Sequence, residues 1–349
     1  MNKASRWLAG AFGPALLATL LALGLSATAA AASAHNTVVG AYPAPPKGPG
    51  SGRLDAWKVG LPNARVSRFG AAHTRSGNSF YVGYDAYHNR IYVPTEAGTT
   101  KILNAETLKP VGRFQSLPGA RVAKVTPDGY LVLELSAHKL VAYLTGDDQP
   151  LFKVPVGGNA LAISTDDEHA FIGGNRDKQV TEIALPTGQI EHHFPVAHSG
   201  DIAWVDGQLF SANMRSGVMS ALNPRTGHVK RIRTPEADPD FSYHHIPRAK
   251  AGFMQIAADP QHDRLYAAGF SGHVLSFSTN RDRYLGEVPV KLQPKGPDKL
   301  SGLALVDNGR EAVVTAENRK ETALIRLSNG KVLQALPHTA SNRWVSLHG

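Results

Sequence analysis

Short runs of β-forming residues, each closed by a small polar loop, recur along the chain. Ile91-Tyr92-Val93-Pro94-Thr95, Ala170-Phe171-Ile172-Gly173-Gly174-Asn175 and Leu209-Phe210-Ser211-Ala212-Asn213 are the clearest copies. Leu265-Tyr266-Ala267-Ala268-Gly269 and Ala312-Val313-Val314-Thr315-Ala316-Glu317-Asn318 follow, and Tyr130-Leu131-Val132-Leu133-Glu134 is a degenerate copy. Aligned on Tyr92, Tyr130, Phe171, Phe210, Tyr266 and Val313, the copies are spaced by 38, 41, 39, 56 and 47 residues. A second apolar run follows each copy, as in Thr100-Lys101-Ile102-Leu103 and His273-Val274-Leu275-Ser276-Phe277. Tight turns such as Thr187-Gly188-Gln189 and Ser328-Asn329-Gly330 close the units, supplying the positive φ that hairpins need. A repeat of about 40–45 residues with four strands per unit predicts an all-β fold, a β-propeller. No helical periodicity competes with it after the N-terminus.

The ends of the chain supply the remaining strands. Arg343-Trp344-Val345-Ser346-Leu347 resembles a first strand, and Asp55-Ala56-Trp57-Lys58-Val59 and Ala64-Arg65-Val66-Ser67-Arg68-Phe69 resemble outer strands. Pairing them predicts seven four-stranded blades closed by both termini, which removes the edges an open array would leave. The two wide spacings place insertions at 234–252 and 291–299.

A second strand reading like Tyr-Val-Thr-Asn, a third reading like Val-x-Val-Ile-Asp and a Thr/Asn-Gly turn resemble the YVTN-type seven-bladed propellers. Residues 91–114 match best and 312–333 next, with the likeness running from Ser79 to the C-terminus. In length and layout the chain is most similar to the periplasmic YncE-type proteins. The resemblance implies the WD40/YVTN-like fold and a class of binding functions. The degenerate second unit and the insertion at 234–252 depart from the pattern.

The first 34 residues have a different character. Lys3 and Arg6 precede an apolar stretch from Leu8 to Leu25, and Ala32-Ser33-Ala34 reads as a cleavage site. This predicts a signal peptide over 1–34, a Pro/Gly-rich linker over 35–53 and the propeller over 54–349. The protein is then periplasmic, or secreted, with no membrane anchor. Zero cysteines exclude disulfides, thiolate metal sites, cysteine nucleophiles and a lipid anchor on cysteine. The formal charge is +9, and removing Lys3 and Arg6 leaves +7. That is a mild attraction to polyanions rather than a nucleic-acid stripe.

Propeller topology sorts loops to two faces. The first face carries the loops between blades and between second and third strands; the second face carries the other hairpins. Arg176, Arg215, Arg319 and Arg343 fall on the first face with fewer acids, Asp201 and Glu317 among them. The second face collects Asp128, Asp166, Asp167, Asp206 and Asp307. Arg176, Arg215 and Arg319, one from each of three blades, are candidate ligands for a carboxylate or phosphate, which a guanidinium grips bidentately. The insertion around Asp240-Phe241-Ser242-Tyr243-His244-His245-Ile246-Pro247-Arg248 is a candidate lid, with Tyr243, His245 and Arg248 as contacts.

The function that follows is binding of an anionic small molecule or polymer on the basic face of the central channel, by a monomer without a cofactor. Enzyme chemistry of the lactonase or lyase kind is the alternative, with His245 beside Glu317 or Glu321; a protein-interaction scaffold is the third reading. Single-stranded nucleic acid needs aromatics beside the basic loops, for which Tyr243, Phe270 and Trp344 are candidates. The 15 histidines contain no H-E-x-x-H or H-x-x-E-H spacing and predict no metal site. His192 and His193 are strand neighbours pointing to opposite sides. No P-loop, G-x-S-x-G elbow or haem-attachment motif is present.

Overall fold

Aliphatic, β-branched and aromatic residues fill the repeated runs, and they form strands. The computed structural model describes residues 37–42, 53–60, 65–73, 79–214, 216–238, 250, 252–293, 296, 298–336, 341 and 343–347. Among these, a 3₁₀ turn at Pro260–His262 is the only helical element. Six four-stranded antiparallel sheets are each built from strands consecutive in sequence. The first holds β4 to β7 (Gly83–Asp85, Arg90–Val93, Thr99–Asn104, Pro110–Gln115) and the next β8 to β11 (Val122–Val125, Leu131–Leu135, Leu140–Leu144, Pro150–Val154). Then come β12 to β15 (Ala160–Ile163, His169–Gly173, Val180–Ala184, Gln189–Phe194) and β16 to β19 (Ser199–Val205, Gln208–Asn213, Ser216–Asn223, His228–Ala237). The last two are β20 to β23 (Phe253–Asp259, Arg264–Gly269, His273–Ser278, Arg283–Pro289) and β24 to β27 (Leu300–Val306, Glu311–Ala316, Glu321–Arg326, Val332–Leu336).

One more sheet joins the two ends of the chain. The strand β28 (Trp344–Leu347) pairs with β1 (Thr37–Tyr42), which continues into β2 (Arg53–Gly60) and β3 (Arg65–His73). Gly40 lies opposite Trp344, and a Cβ there would sit 2.6 Å from the Trp344 ring, so the close approach needs glycine. Val39, Ala41 and Leu347 pack with Val82, Ile91 and Val93 of the β4 to β7 sheet. Val38, Trp57 and Trp344 pack with Ala304, Val313 and Leu324 of the β24 to β27 sheet. The terminal sheet thus sits between the last and first of the consecutive sheets.

This corrects the expected linker over 35–53. Thr37–Tyr42 is a strand, because β-branched Thr37, Val38 and Val39 precede the first proline, and Arg53 already belongs to β2. Residues 43–52 and the expected signal peptide lie outside the described residues. No helix of the described residues is long and apolar enough to cross a membrane.

Burial follows the radial position of each strand. The second strands β9 and β25 are buried at every position, because neighbouring sheets cover both of their faces. The fourth strands are exposed edges: five of the six residues of β15 are exposed, and Glu191, His192 and His193 place polar groups there. Such polar edges resist pairing with another chain.

Candidate functional site

The innermost strands surround a cavity of about 370 Å³ lined by β8, β12, β16, β20, β24 and β28. Among the residues that line the cavity, exposure changes in one direction along each strand. Leu161 and Ala162 are buried and Ile163 half-buried; Ile202 is buried, then Ala203 and Trp204 half-buried. The same step occurs from Ile256 to Ala257 and Ala258, from Ala304 to Leu305, and from Trp344 to Val345. Each inner strand starts at the first face, so the channel is closed at that end and opens toward the second.

The closed end is a buried polar cluster. The Tyr81 hydroxyl donates to Asp201 Oδ2 at 2.8 Å, and the Ile256 N–H donates to the same oxygen at 2.9 Å. The Arg343 guanidinium lies over the Phe80 ring at 4.5 Å and over the Tyr81 ring at 5.5 Å. Gln255 ties three inner strands together. Its Oε1 accepts from the Leu303 and Trp344 N–H groups, each at 2.9 Å, and its Nε2 donates to the Trp344 carbonyl at 2.6 Å.

Burial sets the electrostatics here. It pushes the Asp201 carboxyl above the ordinary range, against the pull of Arg343, the Ile256 N–H, Tyr81 and Lys124. It raises the Tyr81 phenol well above its usual value, with the Asp201 charge adding to the shift. Glu317 is raised by burial and opposed by Arg343. Lys124 is lowered by burial and opposed by Asp201. Its Nζ lies 5.0 Å from the centre of the Tyr81 ring. The Lys124 ammonium makes no ion pair or hydrogen bond with a described residue. It is also the one charged side chain among the described residues lining the cavity; the rest of the wall is mostly Ala, Ile, Leu, Val and Trp.

The candidates read from the sequence are distributed differently. Arg176 is exposed in the turn after β13. Arg319, between β25 and β26, donates from Nε to Asp298 Oδ1 at 3.2 Å, so its guanidinium is engaged in tying two loops. Arg215, Tyr243, His245 and Arg248 lie outside the described residues. Glu321 accepts two hydrogen bonds from Gln293, at 2.9 and 2.7 Å. Phe270 and Trp344 are 0% and 1% exposed, and the Trp344 indole N–H donates to Thr315. Neither ring is available to stack on a base, because both are buried.

Tyr81, Lys124 and Gln255 did not stand out in the sequence. The usable signal was a lone polar residue inside an apolar inner strand, as in Val122-Ala123-Lys124-Val125. A larger cleft of about 780 Å³ lies off the channel, between the β20 to β23 and β24 to β27 sheets. Arg264, Arg310, Arg326, Asp307 and Glu311 line it, and Arg310 is paired with Asp307 at 2.7 Å.

Sheets arranged around a central channel define a β-propeller. Comparison with solved structures gives the same class. The chain is similar to hydrazine synthase of Kuenenia stuttgartiensis, with a TM-score of 0.60 and 11% identity over 73% of this chain and 78% of that one. It is also similar to the dihydro-haem d1 dehydrogenase NirN, solved in complex with DHE, with a TM-score of 0.61 and 13% identity over 90% of this chain and 76% of that one. At these identities the likeness carries the fold alone. No family model matches the sequence, and no curated protein matches it.

Proposed function

We propose that this protein is an exported binding propeller that holds a small organic anion in its central channel, with the anionic group on Lys124. One observation carries the reading: a lysine without a protein acceptor is the sole charge lining an otherwise uncharged cavity of about 370 Å³. Burial disfavours the charged form of Lys124, the Asp201 charge offsets part of that cost, and a counter-anion in the channel offsets more of it. The attraction is stronger in the channel than in water, because the walls lower the local dielectric. The volume suits a small molecule whose apolar body rests on Trp204, Ile163 and Leu305. The basic first face, with Arg176, then serves long-range attraction rather than the seat itself. Export rests on the N-terminal pattern. Seven blades rest on counting the terminal sheet as the closing blade, in the manner of the YVTN-type propellers that the repeats resemble.

A haem-type group, as the DHE of NirN suggests, does not fit this channel. Its described lining residues include no histidine, methionine or cysteine to ligate iron. A lactonase- or lyase-like role is less well supported, since neither Glu317 nor Glu321 lines the channel cavity. The test is a thermal-shift screen of mature protein against aromatic and aliphatic carboxylates and sulfonates. A ligand of the channel raises Tm by mass action in the parent protein and not in Lys124→Gln. Equal stabilisation of both proteins would place the anion elsewhere.

A further inference from the structure

A second site is assembled on the outer part of the β12 to β15 sheet, away from the channel. His169 stands at the start of β13, Glu182 in β14, and Glu191 and His192 in β15. Successive strand residues normally point to opposite faces. Here the register skips: Glu182 pairs with His192 and Ile183 with Ile190, which leaves Glu191 as the extra residue of a β-bulge. Bulges re-aim side chains, and this one brings Glu191 to the same place as Glu182. His169 Nε2 lies 3.2 Å from Glu191 Oε2. One ligand atom from each of His169, Glu182 and Glu191 lies within 4.8 Å of the others. His192 Nδ1 contacts Glu182 Oε2 at 2.8 Å from outside that group.

We propose that His169, Glu182 and Glu191 bind a divalent transition-metal ion, of which zinc is the best fit, with His192 as the outer partner that orients Glu182. One imidazole and two carboxylates are ligands zinc accepts, and three protein ligands leave a fourth position for water. Zinc–ligand bonds of about 2.0–2.1 Å in a tetrahedron put neighbouring ligand atoms about 3.3 Å apart. The His169–Glu191 spacing already meets that. Glu182 is 5% exposed, so its carboxylate is largely fixed before an ion arrives. Two carboxylates this close oppose each other, and a cation between them turns that opposition into binding. A histidine whose other contact is a ligating carboxylate is a usual outer-shell arrangement. Asp166 and Glu168 form a second group with His169 and add to the negative field around it.

The competing account is that His169 and His192 each simply pair with one glutamate. Zinc titration of the metal-free mature protein by calorimetry separates the two. The proposal expects one equivalent bound, with affinity reduced at least tenfold by His169→Ala and by Glu191→Gln, about 10–100-fold by His192→Ala, and unchanged by substitution of exposed His228. The apo variants should melt where the parent does, which shows that they fold. No stoichiometric binding would overturn the proposal. So would binding that survives His169→Ala and Glu191→Gln, the mark of an adventitious ion only.

Discussion

Asp201 shows how a single residue closes the channel. It is fully buried, accepts from Tyr81 and from the Ile256 N–H, and balances Arg343. Removing one member of a buried charged network strands the other, at a cost of about 3–5 kcal/mol. Asp201→Ala should lose that much in urea unfolding, and a loss below about 1 kcal/mol would show that the cluster is not coupled. Buried carboxyls also set a pH dependence. Glu134, Asp201, Glu236 and Glu317 are all raised, chiefly by burial. Each holds its proton more tightly folded than unfolded, so the folded state binds more protons between the ordinary and the raised pKa. Their contribution to stability is fullest below about pH 4 and declines as the pH rises through the raised values. Glu236, which accepts from the Gly252 N–H at 2.8 Å and from Ser271, is the cleanest probe. Glu236→Gln should lose less stability between pH 4.5 and pH 7 than the parent; an identical slope would remove Glu236 from the account. At this scale the sequence was only half legible. Asp201, Glu317 and Arg343 could be placed on the right face, but which charges meet is decided by strands far apart in the chain.

At the scale of elements, the turns decide how closely sheets approach. Asp259 ends β20 and contacts His262 at 2.8 Å, and Gly309 of the next sheet packs directly on it. A Cβ at Gly309 would sit 2.1 Å from Asp259 Oδ2, with φ already at +74°. Asp85, His88 and Gly129 repeat the device between the first two consecutive sheets, with φ at +73°. Gly207 provides the contrast: its φ is +78°, but nothing lies within 4 Å of the added carbon. Both Ala substitutions carry the backbone strain, and only Gly309→Ala adds the clash, so it should be worse by about 1–3 kcal/mol. Equal losses would mean that the Asp259 contact is not close-packed. Strands were the most legible part of this chain, because alternating β-formers and Asn/Gly turns are local signals. β1 was hidden by the proline-rich residues that follow it. The bulge at Glu191 was hidden too, since the register depends on the partner strand.

For the whole molecule, closure rests on pairing the two ends of the chain. Deleting 341–349 removes β28, exposes the edge of β1 and strips Trp344 from its packing against Ala304 and Val313. The shortened protein should unfold in a broader transition and aggregate on size-exclusion chromatography; a monomer with unchanged Tm would show that the ring does not need this sheet. The propeller was legible because six repeats announce it. The direction of its channel was not, since that depends on which end of every inner strand is covered. Charge had pointed to the first face, whereas the opening and Lys124 point to the second. Calorimetric titration of a small aromatic carboxylate into the parent protein, Lys124→Gln and Arg176→Gln decides between them. The channel account predicts one site in the parent and in Arg176→Gln, weakened at least tenfold in Lys124→Gln. Binding that persists in Lys124→Gln and fails in Arg176→Gln would contradict it.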